Sequence, residues 1–302
     1  MSLFAFLPSR RDARALSAAA QGGRSLWDDA RRRLFANKAA VASMVVLALI
    51  LLAALIGPYL TPFRYDAINK GDTWAQPLVH GHLLGADPLG RDLLARMLVG
   101  LRVSLAVGVV ATFVSLVIGV LWGATAGFIG GKVDEIMMRI VDVLYSLPYM
   151  FFVILLMTVF GRDLILMFVA IGAVSWLTMA RIVRGQTLAL KQREFVEAAR
   201  AAGLSRPAII LNHIIPNLLG PVIVYVTLTI PGVILAESFL SFLGLGVQEP
   251  LTSLGSLISI GNDEMDLAPY LLFFPCAVMV VTLGALNFIG DGLRDALDPK
   301  DR

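Results

Sequence analysis

REFVEAARAAGLSRPAIILNHIIPN, residues 193–217, starts polar, ends apolar, and lies between uncharged runs long enough to cross a membrane. Glu194 to Ala202 holds strong helix formers with no Gly or Pro, and Gly203 then supplies a carboxyl-terminal stop. Leu204 follows where a Schellman-type end makes its apolar contact. Phe195, Ala198, Ala199 and Ala202 recur at helical spacing, which predicts one face with a single aromatic knob among alanines. So small a face buries little against its own chain and suits a close-fitting groove on another protein. The alternative is a helix lying on the membrane surface, but lipid insertion favours a wider, bulkier apolar face with Lys and Arg opposite.

The 302 residues are 58% hydrophobic and only 16% charged, with a mean hydropathy of +0.80. Soluble domains carry about a quarter charged residues, so the chain reads as an integral membrane protein. A net charge of +3 reflects basic loops and not a nucleic-acid-binding surface. The single cysteine, Cys276, sits in an apolar run, forms no intrachain disulfide and reads as packing.

Six uncharged runs recur, at 39–63, 103–131, 143–161, 164–180, 207–236 and 267–290. A bilayer's hydrocarbon core needs about 20 apolar helical residues, so the runs predict an all-α, six-span polytopic protein. The segments 1–38, 128–139, 181–212 and 290–302 hold 19 Lys or Arg, against 6 in 61–102, 161–163 and 241–269. By the positive-inside rule both termini and the 181–212 loop are cytoplasmic. The organisation expected is a basic amino-terminal segment (1–38), a first span (39–63), an outer loop (64–102), a five-helix unit (103–292) containing a cytoplasmic loop at 185–212, and a tail (293–302). Ser25 with Asp28 marks a helix start ahead of Arg31–Arg33, a basic flank suited to anionic lipid headgroups.

Gly108, Gly119, Gly123 and Gly127 let the second span approach a neighbour closely. Pro216, Pro221 and Pro231 are expected to kink or break the fifth. Glu237, near the outer end of that run, is either an intramembrane charge or an interfacial group. So few mid-membrane charges argue against a proton- or ion-coupled carrier. H-E-x-x-H and G-x-S-x-G are both absent, which argues against an enzyme. His80 and His82 have no further partner for a metal, and His213 reads as a helix-end polar group. Gly131–Lys132 lacks the following Ser or Thr and has Ala126 where a phosphate-binding loop needs its first glycine. Uphill transport would need energy from a separate subunit.

Glu197-Ala198-Ala199, Gly203, and His213-Ile214-Ile215-Pro216 after nine residues resemble the EAA loop of ABC importer permeases. Leu84 to Asp87, Gly90 to Asp92, Arg181 to Thr187, Glu237 to Pro250 and Gly290 to Arg302 are similar to the C-type subunits of the dipeptide, oligopeptide and nickel permeases. Ala86 and Leu254 depart from that family's frequent Thr and Trp. The resemblance implies a type I importer permease fold. Glu197, Ala198, Ala199 and Gly203, with Phe195 and Pro216, would form a coupling helix and its loop, seated in a cleft of an ATPase subunit. Glu237, Phe239 and Phe242 would stand at the outer mouth, where an interfacial amphipathic stretch is the other reading. The implied partners are a second homologous permease, two ATPases that bind ATP and Mg, an external solute-binding protein, and short peptides as cargo. Glutathione, nickel chelates or antimicrobial peptides are alternative cargoes, and a stand-alone secondary carrier is the alternative class. The chain itself needs no cofactor.

Overall fold

The computed structural model describes residues 26–161 and 163–297, which fold as helices joined by loops, with only two isolated β-bridges among them. Ser25 and the basic residues Arg10 to Arg24 lie outside the described residues. Helices α1 (Leu26–Ala36) and α2 (Lys38–Leu60) are separated by Asn37, whose side chain accepts from the Ala39 and Ala40 amides and restarts the helix. Asp92 caps α3 (Leu93–Ile129) by accepting from the Ala95 amide at 2.7 Å. Helices α4 (Gly131–Ser146) and α5 (Tyr149–Phe160) meet at 83° across Leu147-Pro148, and α6 spans Leu164–Leu190. The short α7 (Glu194–Ala201) is followed by α8 (Arg206–Ile209), which passes through a π turn, Ile210–Ile214, into α9 (Ile215–Phe242). Helices α10 (Leu254–Asp263) and α11 (Tyr270–Leu297) complete the described chain.

Among the described residues five helical spans are long and apolar enough to cross a membrane, and the bent α4–α5 pair makes a sixth if counted as one. The run at 143–161 is therefore not one straight helix. Pro148 removes a backbone donor and disfavours helical geometry at Leu147, and the chain turns there. The second span begins at Leu93, ten residues before its uncharged run, so the loop expected at 64–102 ends early. The charges that interrupt the hydropathy there find partners inside the fold. Arg96 pairs with Asp87 at 3.0 Å, and Arg102 donates to the Ala54 and Leu55 carbonyls, each at 3.0 Å. Likewise α6 continues ten residues past its run because Arg181 and Arg184 pair with Asp142 and Asp134 on α4.

Pro221 and Pro231 lie inside an unbroken α9, contrary to the expected break. Membrane helices tolerate Pro where neighbouring helices support the interrupted ladder, and Pro231 is buried inside the bundle. Pro216 has a local consequence. The wide turn before it carries an Ile215 amide to Ile210 carbonyl bond in place of the tighter α pattern. That wider turn makes room for a ring that would otherwise press on the carbonyl four residues back.

Helices α3 and α6 form the spine. A Cβ on Gly123 would stand 2.9 Å from the Arg184 amide nitrogen, and one on Gly127 2.9 Å from the Arg184 carbonyl oxygen. Only a bare backbone fits, and such close approach drives helix association where lipid removes the hydrophobic incentive. At one end of the bundle the segment 61–92 is roofed by 243–269. Trp74 donates to Glu264 at 3.0 Å, Arg91 bridges Asp87 and Glu249 at 2.7 and 2.8 Å, and the Tyr270 hydroxyl sits between the Ala75 and Ala86 carbonyls. Ala86 and Leu254 are buried in this cap. The other end carries α1, α7 and the end of α11, with Gly292 against Ala40 and Leu34.

Candidate functional site

Helix α7 has Glu194 and Glu197 in its first turn, where carboxylates favour the positive end of the helix dipole, and Arg200 in its last. Its end is a full Schellman motif. The Gly203 amide donates to the Arg200 carbonyl at 2.9 Å and the Leu204 amide to the Ala199 carbonyl at 3.2 Å. Gly203 holds φ at +80°, a left-handed conformation that only glycine adopts without strain.

Val196 and Ala199 point inward, at 0% and 6% exposure, onto a cluster with Phe128, Val183, Ile209 and Ile214. Phe195, Glu197, Ala198 and Ala202 face solvent. The four-residue face expected from spacing therefore divides: Ala199 belongs to the anchor, and Phe195, Ala198 and Ala202 to the free side. The residue that the spacing missed is Val196, and its β-branched apolar side chain in a polar octet was the available signal. Pro216 is exposed, beyond the π turn, and His213 is half-buried there with its carbonyl accepting from the Asn217 side chain at 2.7 Å.

The helices that flank α7 are tied to the bent pair. Arg184 grips Asp134 through two bonds of 2.6 Å, the bidentate arrangement a guanidinium fork favours. Arg181 donates to Asp142 at 2.7 Å and lies 4.1 Å over the Tyr145 ring. These pairs tie α6 to α4 on the approach to the Pro148 bend.

At that bend lies a cavity of about 530 Å³ between α4, α5, α6 and α9. Its polar groups are hydroxyls: Tyr145, Tyr149, Ser175, Thr178, Tyr225 and Thr229, and no charged side chain lines it. A surface of this kind makes hydrogen bonds to amides and stacks on apolar groups without selecting charge. The sequence reading overlooked these residues. Hydroxyls three apart on α6 and four apart on α9 within apolar runs were the only signal.

The outer trio does not form one site. Glu237 is fully buried and accepts from Ser104 at 3.0 Å and Ser241 at 2.6 Å, joining α9 to α3. Phe239 and Phe242 are exposed on the same helix. In the cap, His80 bonds Asp72 at 2.6 Å, and His82 stands between Asp92 at 2.8 Å and Asp72 at 3.4 Å. No group of three metal-ligating side chains is gathered among the described residues. Cys276 is half-buried in α11.

Residues 95–302 match the family described as the binding-protein-dependent transport system inner membrane component. Residues 25–77 match the N-terminal TM domain of oligopeptide transport permease C. The oligopeptide transport system permease protein of Haemophilus influenzae is 56% identical over 281 residues, covering 93% of this chain and 90% of that one. Its namesake in Escherichia coli K12 is 57% identical over 281 residues, 93% of each. Among solved structures, the inward-facing MetNI methionine ABC transporter matches with a TM-score of 0.53 at 19% identity, over 67% of this chain and 96% of that one, which speaks for the fold alone. By its family match over most of the chain and by its fold, this protein belongs to the inner-membrane components of binding-protein-dependent transport systems, with the architecture of an ABC importer permease.

Proposed function

We propose that the chain is one of two homologous permease subunits of an ATP-driven importer for short peptides, and that α7 is the coupling helix gripped by an ATPase. The observation that carries this is the geometry of α7: a short helix closed at its carboxyl end and anchored by Val196 and Ala199, with Phe195, Glu197 and Ala198 exposed among the described residues. Peptides as cargo follow from the relatives' names, and the uncharged, hydroxyl-lined cavity suits a backbone common to all peptides. Two ATPases supply ATP and Mg chemistry, and an external binding protein delivers the solute. The α7 end and both termini face the cytoplasm, in line with the 19-to-6 distribution of Lys and Arg.

Closure of the ATPase pair pushes α7. The push reaches α6 and α9 through the cluster under Val196 and Ala199, and reaches α4 through the Arg184–Asp134 pair. A capped, rigid helix transmits such a displacement as a body. Glu197→Lys and Gly203→Pro are expected to abolish uptake of a labelled tripeptide by cells while the subunit still accumulates in the membrane. Wild-type uptake by both variants would end the coupling assignment. Absence of ATPase subunits from a mild-detergent pull-down of the wild type would end the importer assignment as well.

A further inference from the structure

Beside α7 is a second pocket, of about 340 Å³, that the coupling role does not use. Three cations surround it: Lys191 from the end of α6, Arg200 from α7 and Arg206 from α8. None of the three has a carboxylate partner among the described residues, whereas Arg181 and Arg184 one to three turns earlier are both paired. Arg200 instead lies 5.2 Å over the Phe128 ring, and the Lys191 ammonium reaches only the Ile129 carbonyl, at 3.5 Å. The apolar wall is Phe128, Ile129, Leu204 and Ile209.

The pocket also adjoins the amino end of α4. Gly130 holds φ at +73°, α4 has no side-chain cap there, and the Lys191 ammonium lies 3.0 Å from where a Gly130 Cβ would stand. Three cations without a carboxylate partner among the described residues repel one another across the pocket, and an anion relieves the arrangement. The pocket lies where α3 and α6 both finish, on the end of the bundle that carries α7.

We propose that this pocket binds a phosphate-bearing anion, supplied in the membrane by the headgroup of an anionic phospholipid such as phosphatidylglycerol. The three cations take the phosphate, and the Phe128–Ile129 wall takes the first methylenes of the lipid. A seated headgroup fastens α4 and the end of α3 to the α7 loop, the same elements that carry the proposed coupling motion. The site stands whatever solute is carried.

The test is native mass spectrometry of the full chain released from micelles holding equal phosphatidylglycerol and phosphatidylcholine. The wild type is expected to retain phosphatidylglycerol preferentially. Arg206→Gln alone, and Lys191→Gln alone, should each lower that preference about fivefold, the factor equivalent to roughly 1 kcal/mol per basic residue at an anionic surface. Arg64→Gln with Lys70→Gln, at the other end, should leave it unchanged. Inorganic phosphate separates the sources: a higher melting temperature of lipid-depleted protein, together with loss of phosphatidylglycerol from lipid-loaded protein, assigns the site to free phosphate, and no response in either assigns it to the lipid. Equal retention of both lipids by the wild type overturns the proposal. So does an Arg206→Gln variant that keeps its lipid preference but loses a partner ATPase in a pull-down.

Discussion

At one end of the bundle, Asp87, Arg91, Arg96 and Glu249 join a loop, a helix start and a segment 158 residues away into one bonded unit. At the other end, α7 is held by its own backbone bonds and two small apolar side chains. The first end has specific, directional bonds between distant parts of the chain, so none of its parts moves alone. The second has a small apolar anchor and a face that nothing among the described residues covers. On the proposed coupling role the difference has a use: the capped end would hold the helices in register, and the α7 end would be the part that is displaced.

The comparison breaks most readily at Asp87. Its carboxylate takes Arg91 at 2.7 Å, Arg96 at 3.0 Å and the amides of Leu89 and Arg91, while 1% exposed. Asp87→Ala strands the buried Arg96 guanidinium and leaves Arg91 with Glu249 alone, a loss of about 3–5 kcal/mol. The expected result is a large fall in melting temperature in detergent and little protein in the membrane. An unchanged melting point would mean that the cap is not what holds this end.

At the other end, one substitution at two neighbouring positions sharpens the contrast. Ala199→Leu forces three extra carbons into the anchor cluster and should cost about 1–3 kcal/mol. Ala198→Leu, one residue away on the free side, should change stability by less than about 0.5 kcal/mol. Yet Ala198→Leu is the variant expected to weaken recovery of ATPase subunits in a pull-down, since it alters the exposed surface. Equal stability losses would show that both alanines are buried in the working assembly.

Much of this was legible in the residues. Apolar runs report membrane spans because every backbone group in lipid must be bonded within a helix, and the Gly203 stop reports a local motif that needs no distant partner. Runs say nothing of direction, so the 83° turn at Pro148 was not legible. Charge misled where it was satisfied at long range. Arg96 and Arg102 read as loop residues because their partners, Asp87 and the Ala54 and Leu55 carbonyls, are not marked in the sequence. The cavity hydroxyls were silent for another reason. Ser175 and Thr229 donate to carbonyls four residues back, as they would on any buried helix face, so cavity and core carry the same pattern.

The smallest effect belongs to the cap surface and tests whether its polar contacts add to the buried network. Hydrogen bonds from His80, and then from His82, hold the Asp72 carboxyl below its ordinary value of 3.8. A carboxylate whose folded value is depressed contributes stability that is present above its unfolded value. That contribution is lost as pH falls through the folded one. The melting temperature of the wild type should therefore drop further between pH 5 and pH 3 than that of Asp72→Asn, with the two converging at the acid end. Arg64 and Asp66 form a similar exposed pair in the same segment, and Asp66 too is held low, by its bond to Arg64. Asp66→Asn should show a weaker version of the same difference, because this ion pair is more open to water and salt screens it. If Asp72→Asn and wild type lose stability in parallel, the Asp72 contacts with the histidines add nothing to the cap, and its other bonds hold it.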